Sequence, residues 1–195
     1  VTASYSFLYE ILHEFRSQYP GIEIKLHTGD PEDAISRVQS GQEEITIAAC
    51  PETPPVGMAF KPIAESPLVF IAPQQEPALT AQLSPPIDWS SIPMILSEEG
   101  VSRQEVNQWF ADQGIKPTIY AQVAGNEAIV SMVSLGFGVG VVPLIVLENS
   151  PLADRVRILD VQPELAPYNV GLFVLDKKLK SPLISAFWDQ VKGRD

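Results

Sequence analysis

The chain has 195 residues, 45% hydrophobic and 19% charged, which is enough apolar material to bury a core and excludes intrinsic disorder. Lys and Arg number 13 against 24 Asp and Glu, a formal net charge of −11, so the bulk surface repels nucleic acid and anionic lipid, and any anionic ligand must be held by local donors. The lone cysteine, Cys50, excludes an internal disulfide and suits a reducing compartment such as the cytoplasm, and His13 and His27 have no partners at metal-ligand spacing.

The chain opens on Val1 without a basic-then-apolar leader, and reads as a fragment of a longer protein or one whose leader was removed. Phe7, Leu8, Ile11, Leu12 and Phe15 recur at helical spacing, and Pro20-Gly21 ends that helix near Tyr19. Val1-Thr2-Ala3 is left as the tail of a strand. Ile22, Ile24 and Leu26 alternate with polar neighbours and predict a strand over 22–27. Asp30 suits a cap, Pro31 the first helical position and Asp33 the capping-box partner of a short helix that runs to Ser40 and stops at Gly41. A strand at 44–49 follows. Helical crossovers between successive strands predict parallel pairing.

Strands are expected at 58–63 and 68–72. Residues 73–93 carry Pro73, Pro77, Pro85, Pro86 and Pro93 among Gln, Ser and Ala, a linker composition that places the first crossing between domains at 73. The plan then repeats. A strand at 93–97 leads to SRQE at 102–105, a capping box for a helix that turns Val106, Trp109 and Phe110 inward and closes at Gly114. A strand at 118–123 leads to Gly125-Asn126-Glu127, which opens another helix.

The uncharged stretch 128–147 is long enough to cross a bilayer. Gly136, Gly138, Gly140 and Pro143 divide it instead into a helix, a tight turn and a buried strand, and its flanks lack aromatic belts and a strong Lys/Arg bias. RVRILDV at 155–161 and NVGLFVLD at 169–176 read as strands. Ser181 and Pro182 start a last helix with Leu183, Ile184, Phe187, Trp188 and Val191 on one face. The tail from about 163 is expected to return to the first domain.

These elements predict an α/β protein of two Rossmann-like lobes joined by two crossovers, 1–72 with 163–195 and 73–162, with a ligand in the cleft at the carboxyl ends of the strands. Three polar helix starts belong at such ends: Thr2 to Ser6, Gly100 to Arg103, and Gly125 to Glu127. Free amides and the positive dipole end there suit a small carboxylate, although the same residue types serve as ordinary caps. Arg103 opposes the dipole of its own helix, so it meets a ligand carboxylate, or it is a solvated side chain or pairs with Glu98, Glu99 or Glu105. Cys50 has no base placed beside it and reads as a small lining residue. His13 lies on a polar helix face, and His27 ends a strand near the expected site. GFGVG at 136–140 follows a helix rather than a strand, which is the wrong context for a nucleotide loop, and no other cofactor fingerprint or metal-ligand set is present.

FRSQYPGIEIKLHTGD at 15–30, GQEEITIAA at 41–49 and above all NEAIVSMVSLGFGVGVVP at 126–143 resemble the effector-binding domain of LysR-type transcriptional regulators over essentially the whole chain. Glu44 departs from the usual Asp of that pattern. CPETPP, DWSSIPMI, VLENSP and PLISAFW resemble a branch of the family that controls branched-chain amino-acid biosynthesis. The resemblance implies a type 2 periplasmic-binding-protein architecture, an N-terminal winged helix-turn-helix through which DNA is bound, an antiparallel pair of these domains and a tetramer of full-length chains. It implies a transcriptional activator that is not an enzyme, has no cofactor or membrane partner, and senses acetolactate or acetohydroxybutyrate. The pocket it implies comprises Thr2, Ser4, Thr28, Ala49, Cys50, Ser102, Arg103, Gly125, Asn126 and Pro143. A periplasmic solute-binding protein of a transporter shares the architecture and is the alternative.

Overall fold

In a computed structural model the chain is a mixed α/β protein with two sheets in two compact units. Residues 2–27, 31–51 and 55–191 are described, with their side chains except those of residues 2–7, 31, 32 and 168. Unit 1 comprises 1–65 and 169–195, and unit 2 comprises 66–168.

Unit 1 begins with α1 (Thr2–Gln18), which already includes Thr2 and Ala3, so the expected strand tail is helical. Phe15 is buried, Leu8, Ile11 and Leu12 are half-buried, and the Phe7 side chain lies outside the described set. Phe15 meets Phe187 of α7 (Pro182–Gln190) edge-on with ring centroids 5.0 Å apart. The Gln190 side chain donates to the Ile11 carbonyl at 3.0 Å. On α7, Ile184 is buried as expected while Leu183 is 45% exposed.

The alternation at 22–27 does not become a strand. No strand pairs with it, and Ile24 and Leu26 stand exposed. Alternation specifies a face, but a strand also needs a neighbour for its backbone groups. After α2 (Pro31–Gln39) come β1 (Ile45–Ala49), β2 (Met58–Ser66) and, far along the chain, β8 (Tyr168–Leu175). The sheet order is β1-β8-β2, and β1 runs antiparallel to β8, Ile47 opposite Leu172. The parallel sheet expected from chain order is therefore not what unit 1 holds, because the returning tail supplies its central strand. Val38, Ala48, Met58 and Phe173 form its buried cluster, with Ile35, Cys50 and Phe60 packed on it.

Unit 2 starts with β3 (Leu68–Pro73), which pairs antiparallel with β6 (Val139–Pro143) and β7 (Val156–Ile158). These pairings place β3 in unit 2, so the chain changes unit at Ser66 and Asn169 rather than at 73 and 163. The proline-rich stretch lies inside unit 2 and contains α3 (Pro77–Gln82), with Pro77 at its first turn and Leu79 buried. β4 (Pro93–Ser97) is parallel both to β5 (Thr118–Val123) and to β6, giving the order β5-β4-β6-β3-β7. Between these strands run α4 (Val101–Asp112) and α5 (Asn126–Ser134), and α6 (Leu144–Glu148) follows β6.

Residues 128–147 thus form a helix, a turn, a strand and the start of a short helix, and no described helix is long and apolar enough to cross a membrane. Ile95, Ile129, Val130, Val133 and Val139 are fully buried. Phe70, Trp89, Trp109 and Phe110 pack as one aromatic cluster, and the Trp109 indole donates to the Pro163 carbonyl at 2.7 Å. This ties the end of unit 2 to the inner face of α4, at worth of about 1 kcal/mol for a satisfied buried donor.

Gly138 and Gly140 of GFGVG serve packing. A Cβ on Gly138 would stand 2.2 Å from the Pro93 carbonyl oxygen, and one on Gly140 would stand 2.4 Å from Ile129. Gly138→Ala pushes backbone against backbone at the start of β6, so it should lower stability by about 1–3 kcal/mol or more, read from urea unfolding midpoints. An unchanged midpoint would show that β6 is not held this close to β4.

Candidate functional site

The three parallel strands of unit 2 end at one edge of the sheet. β4 ends at Ser97, with β5 ending opposite it at Val123 and β6 ending at Pro143 on its other side. Each hands over to a helix, so three helix N-termini gather where open α/β sheets bind ligands.

The third of these ends is closed. The Leu144 N–H donates to the Pro67 carbonyl at 2.8 Å and the Ile145 N–H donates to the Ser66 hydroxyl at 3.0 Å. Ser66 is one of two buried polar side chains among the described residues, and it is satisfied.

The other two ends are open. α4 is preceded by Gly100 at φ 97° and α5 by Gly125 at φ 84°, and neither helix has a side-chain cap. Positive φ favours glycine, and glycine brings no side-chain oxygen to its own helix mouth. The first-turn amides are thereby left without the usual partner. SRQE is consequently not a capping box: α4 begins before it, and Ser102 stands at the second helical position.

Ser102 is 7% exposed, and its hydroxyl has no partner among the described residues. Asn126 Oδ1, at the first position of α5, is likewise buried and unpartnered. Leaving a buried polar atom unpaired costs about 1–3 kcal/mol, so Asn126 Oδ1 calls for a donor, while the Ser102 hydroxyl at the neighbouring helix mouth is free to bond a ligand.

Arg103 is half-buried beside them. Its Nη1 donates to the Ser97 carbonyl at 2.7 Å and to Gln122 Oε1 at 2.8 Å, and its Nε donates to Asn107 Oδ1 at 3.0 Å. Among the described residues Glu98, Glu99 and Glu105 form no ion pair with it. The pairing of Arg103 with Glu98, Glu99 or Glu105, one of the readings open from sequence, is thus not realised among the described residues. Gln122 and Asn107 escaped sequence reasoning, because their contact with Arg103 depends on β5 lying parallel beside β4.

Of the residues singled out by sequence, the fold brings Ser102, Arg103, Gly125 and Asn126 to neighbouring helix starts, with Pro143 at the end of the next strand. Ala49 and Cys50 lie in unit 1, at the end of β1. Ala49 is buried, and the Cys50 N–H donates to the Asn169 carbonyl at 2.7 Å. Burial raises the Cys50 thiol above its ordinary pKa, which disfavours the thiolate a nucleophile needs. Thr2 and Ser4 fall in the first turn of α1, and their side chains are among those not described. Thr28 lies outside the described residues. His13 is exposed and stacks on Tyr9 at 5.9 Å, and exposed His27 bonds Glu43 at 2.5 Å.

The family profile described as "LysR substrate binding domain" matches residues 1–195. The chain belongs to the LysR substrate-binding domain family. Among its relatives, this LysR domain is 44% identical over 192 residues to the HTH-type transcriptional activator IlvY of Salmonella typhimurium, and 40% identical over 190 residues to that of Haemophilus influenzae. Each match covers 96% of this chain and 65% of the relative, so the chain spans about two-thirds of the length of these regulators. Among solved structures, the effector-binding domain of QuiR in complex with shikimate is similar at TM-score 0.79 and 21% identity, over 97% of this chain and 90% of that one. The CcmR regulatory domain of Synechocystis in complex with 2-PG is similar at TM-score 0.79 and 24% identity, over 97% and 91%. These likenesses carry the fold, that of LysR regulatory domains, which is of the type 2 periplasmic-binding-protein kind.

Among the described residues the Ser102 hydroxyl has no intramolecular partner. Ser102→Ala should therefore leave stability unchanged or raise it, measured by urea unfolding without ligand. A loss above about 1 kcal/mol would mean the hydroxyl already has a partner.

Proposed function

We propose that this domain is the effector-sensing part of a LysR-type transcriptional activator and that its effector is an acetohydroxy acid, acetolactate or acetohydroxybutyrate. The regulated gene on this reading encodes acetohydroxyacid reductoisomerase, in branched-chain amino-acid biosynthesis. The observation that carries the ligand assignment is the pair of unpartnered polar groups, Ser102 and Asn126 Oδ1, at two uncapped helix mouths. The regulatory role is supported by the family and by relatives that are themselves named transcriptional activators.

An acetohydroxy acid presents a carboxylate, a hydroxyl and a ketone on a small alkyl frame. The carboxylate accepts from first-turn amides of α4 and α5, from the Ser102 hydroxyl and from the Arg103 guanidinium, in the field of two positive helix ends. Asn126 Oδ1 is an acceptor, so it takes the ligand hydroxyl as its donor. Pro143 supplies apolar surface for an alkyl group. Ala49, Cys50, Thr2, Ser4 and Thr28 are the contacts this reading draws from the rest of the chain. To switch transcription, the effector's preference between two states of the regulator must be worth about 1–3 kcal/mol.

The solute-binding alternative shares the fold, but the named relatives are regulators, and that favours the sensor. On the sensor reading DNA is contacted by a winged helix-turn-helix elsewhere in the full-length protein, and the domain pairs with a second copy within a tetramer. β5 supports a pairing surface: it is an edge strand with Ile119 and Tyr120 exposed and with Tyr120 stacked on Phe137 at 5.9 Å.

Acetolactate or acetohydroxybutyrate at 100 times its dissociation constant should stabilise the domain by about 2.7 kcal/mol in a thermal-shift assay. Arg103→Ala should weaken binding by about tenfold or more, as the loss of a charge-assisted hydrogen bond implies. A domain that neither acid stabilises would contradict the assignment. Tyr120→Lys should shift sedimentation toward the monomer, and an unchanged profile would move the pairing surface away from β5.

A further inference from the structure

Arg103 is held in an unusual way for a cation in an acidic chain. Its three hydrogen bonds all go to neutral oxygens: the Ser97 carbonyl, the Gln122 amide and the Asn107 amide. Glu98, Glu99 and Glu105 form no ion pair with it among the described residues, although they are close in sequence and the chain carries a net charge of −11. It also stands in the first turn of α4, where a positive charge opposes the helix dipole. Nη2 has no partner among the described residues. The arrangement fixes the direction of the guanidinium by neutral acceptors, with no ion pair to Glu98, Glu99 or Glu105 among the described residues.

We propose that Gln122 is a positioning and specificity residue: it clamps Arg103 with a neutral oxygen, so that the guanidinium stays in place and its charge stays available to an anionic effector. Asn107 shares the clamp from one turn further along α4. The proposal rests on the acetohydroxy-acid reading and adds to it the basis of selection for an acid over its uncharged counterpart. A glutamate at 122 has the same shape and keeps the hydrogen bond, but it would satisfy the cation internally. A ligand carboxylate would then compete with a built-in one. Charge selectivity is thereby assigned to residue type at 122 and not to the presence of Arg103 alone.

Gln122→Glu separates this role from a structural one. A clamp that merely ties β5 to α4 is kept or strengthened by the ion pair, so thermal stability without ligand should equal or exceed that of the wild type. Calorimetric titration with acetolactate should show affinity weaker by about tenfold or more. Titration with acetolactate methyl ester, which lacks the anion, should give equal affinity in the two proteins. Equal acetolactate affinity in wild type and variant overturns the proposal, as does a variant that weakens acid and ester alike. If the wild type binds no acetolactate, the functional reading fails and the same pair is titrated with pyruvate. A loss of pyruvate binding confined to Gln122→Glu then supports the clamp, and equal responses to pyruvate overturn it.

Discussion

Backbone amides at a helix start need acceptors, and at the strand ends of unit 2 the rest of the fold supplies them for α6 while no side chain caps α4 or α5. At α6 the Ser66 hydroxyl and the Pro67 carbonyl take the first amides. At α4 and α5 the preceding residues are Gly100 and Gly125, whose positive φ excludes most residues that could cap. The same mouths carry the Ser102 hydroxyl and the buried Asn126 Oδ1, neither with a partner among the described residues. One sheet edge therefore holds a helix end closed by Ser66 and Pro67 beside two without side-chain caps, and the proposed anion site is at those two.

The scaffold makes that placement rigid. β4 lies between β5 and β6 in parallel, and its residues Met94, Ile95 and Leu96 are fully buried. Gly138 lets β6 approach the Pro93 carbonyl closely. The aromatic cluster of Phe70, Trp89, Trp109 and Phe110 packs beneath α4. A ligand site built from backbone amides inherits the precision of these strands, because the donors are part of the elements themselves.

Much of this was legible from the residues. The helices at 2–18, 101–112, 126–134 and 182–190 follow from apolar periodicity with proline or glycine at their ends, and 93–97, 118–123 and 139–143 read correctly as strands. What sequence did not reveal is pairing. Ile22, Ile24 and Leu26 carry a clean alternation but no strand neighbour, β8 enters the first sheet from far along the chain, and β3 joins the second sheet across the expected boundary. The proposed site shows the same division. Ser102, Arg103, Gly125 and Asn126 could be placed at helix starts from sequence, because polar residues and glycine there are a local signal. Gln122 could not, since an exposed glutamine on a strand has no local mark of function until the neighbouring helix places a guanidinium against it.

The central claim is that Ser102 and Asn126 await atoms of a small hydroxy acid at two uncapped helix mouths. The most direct measurement is a crystal structure of the domain grown with saturating acetolactate. The account predicts a carboxylate oxygen within about 3.2 Å of the Ser102 hydroxyl and first-turn amides, and the ligand hydroxyl within the same reach of Asn126 Oδ1. Acetolactate bound elsewhere, with those two side chains still unpartnered or satisfied by water alone, would contradict it.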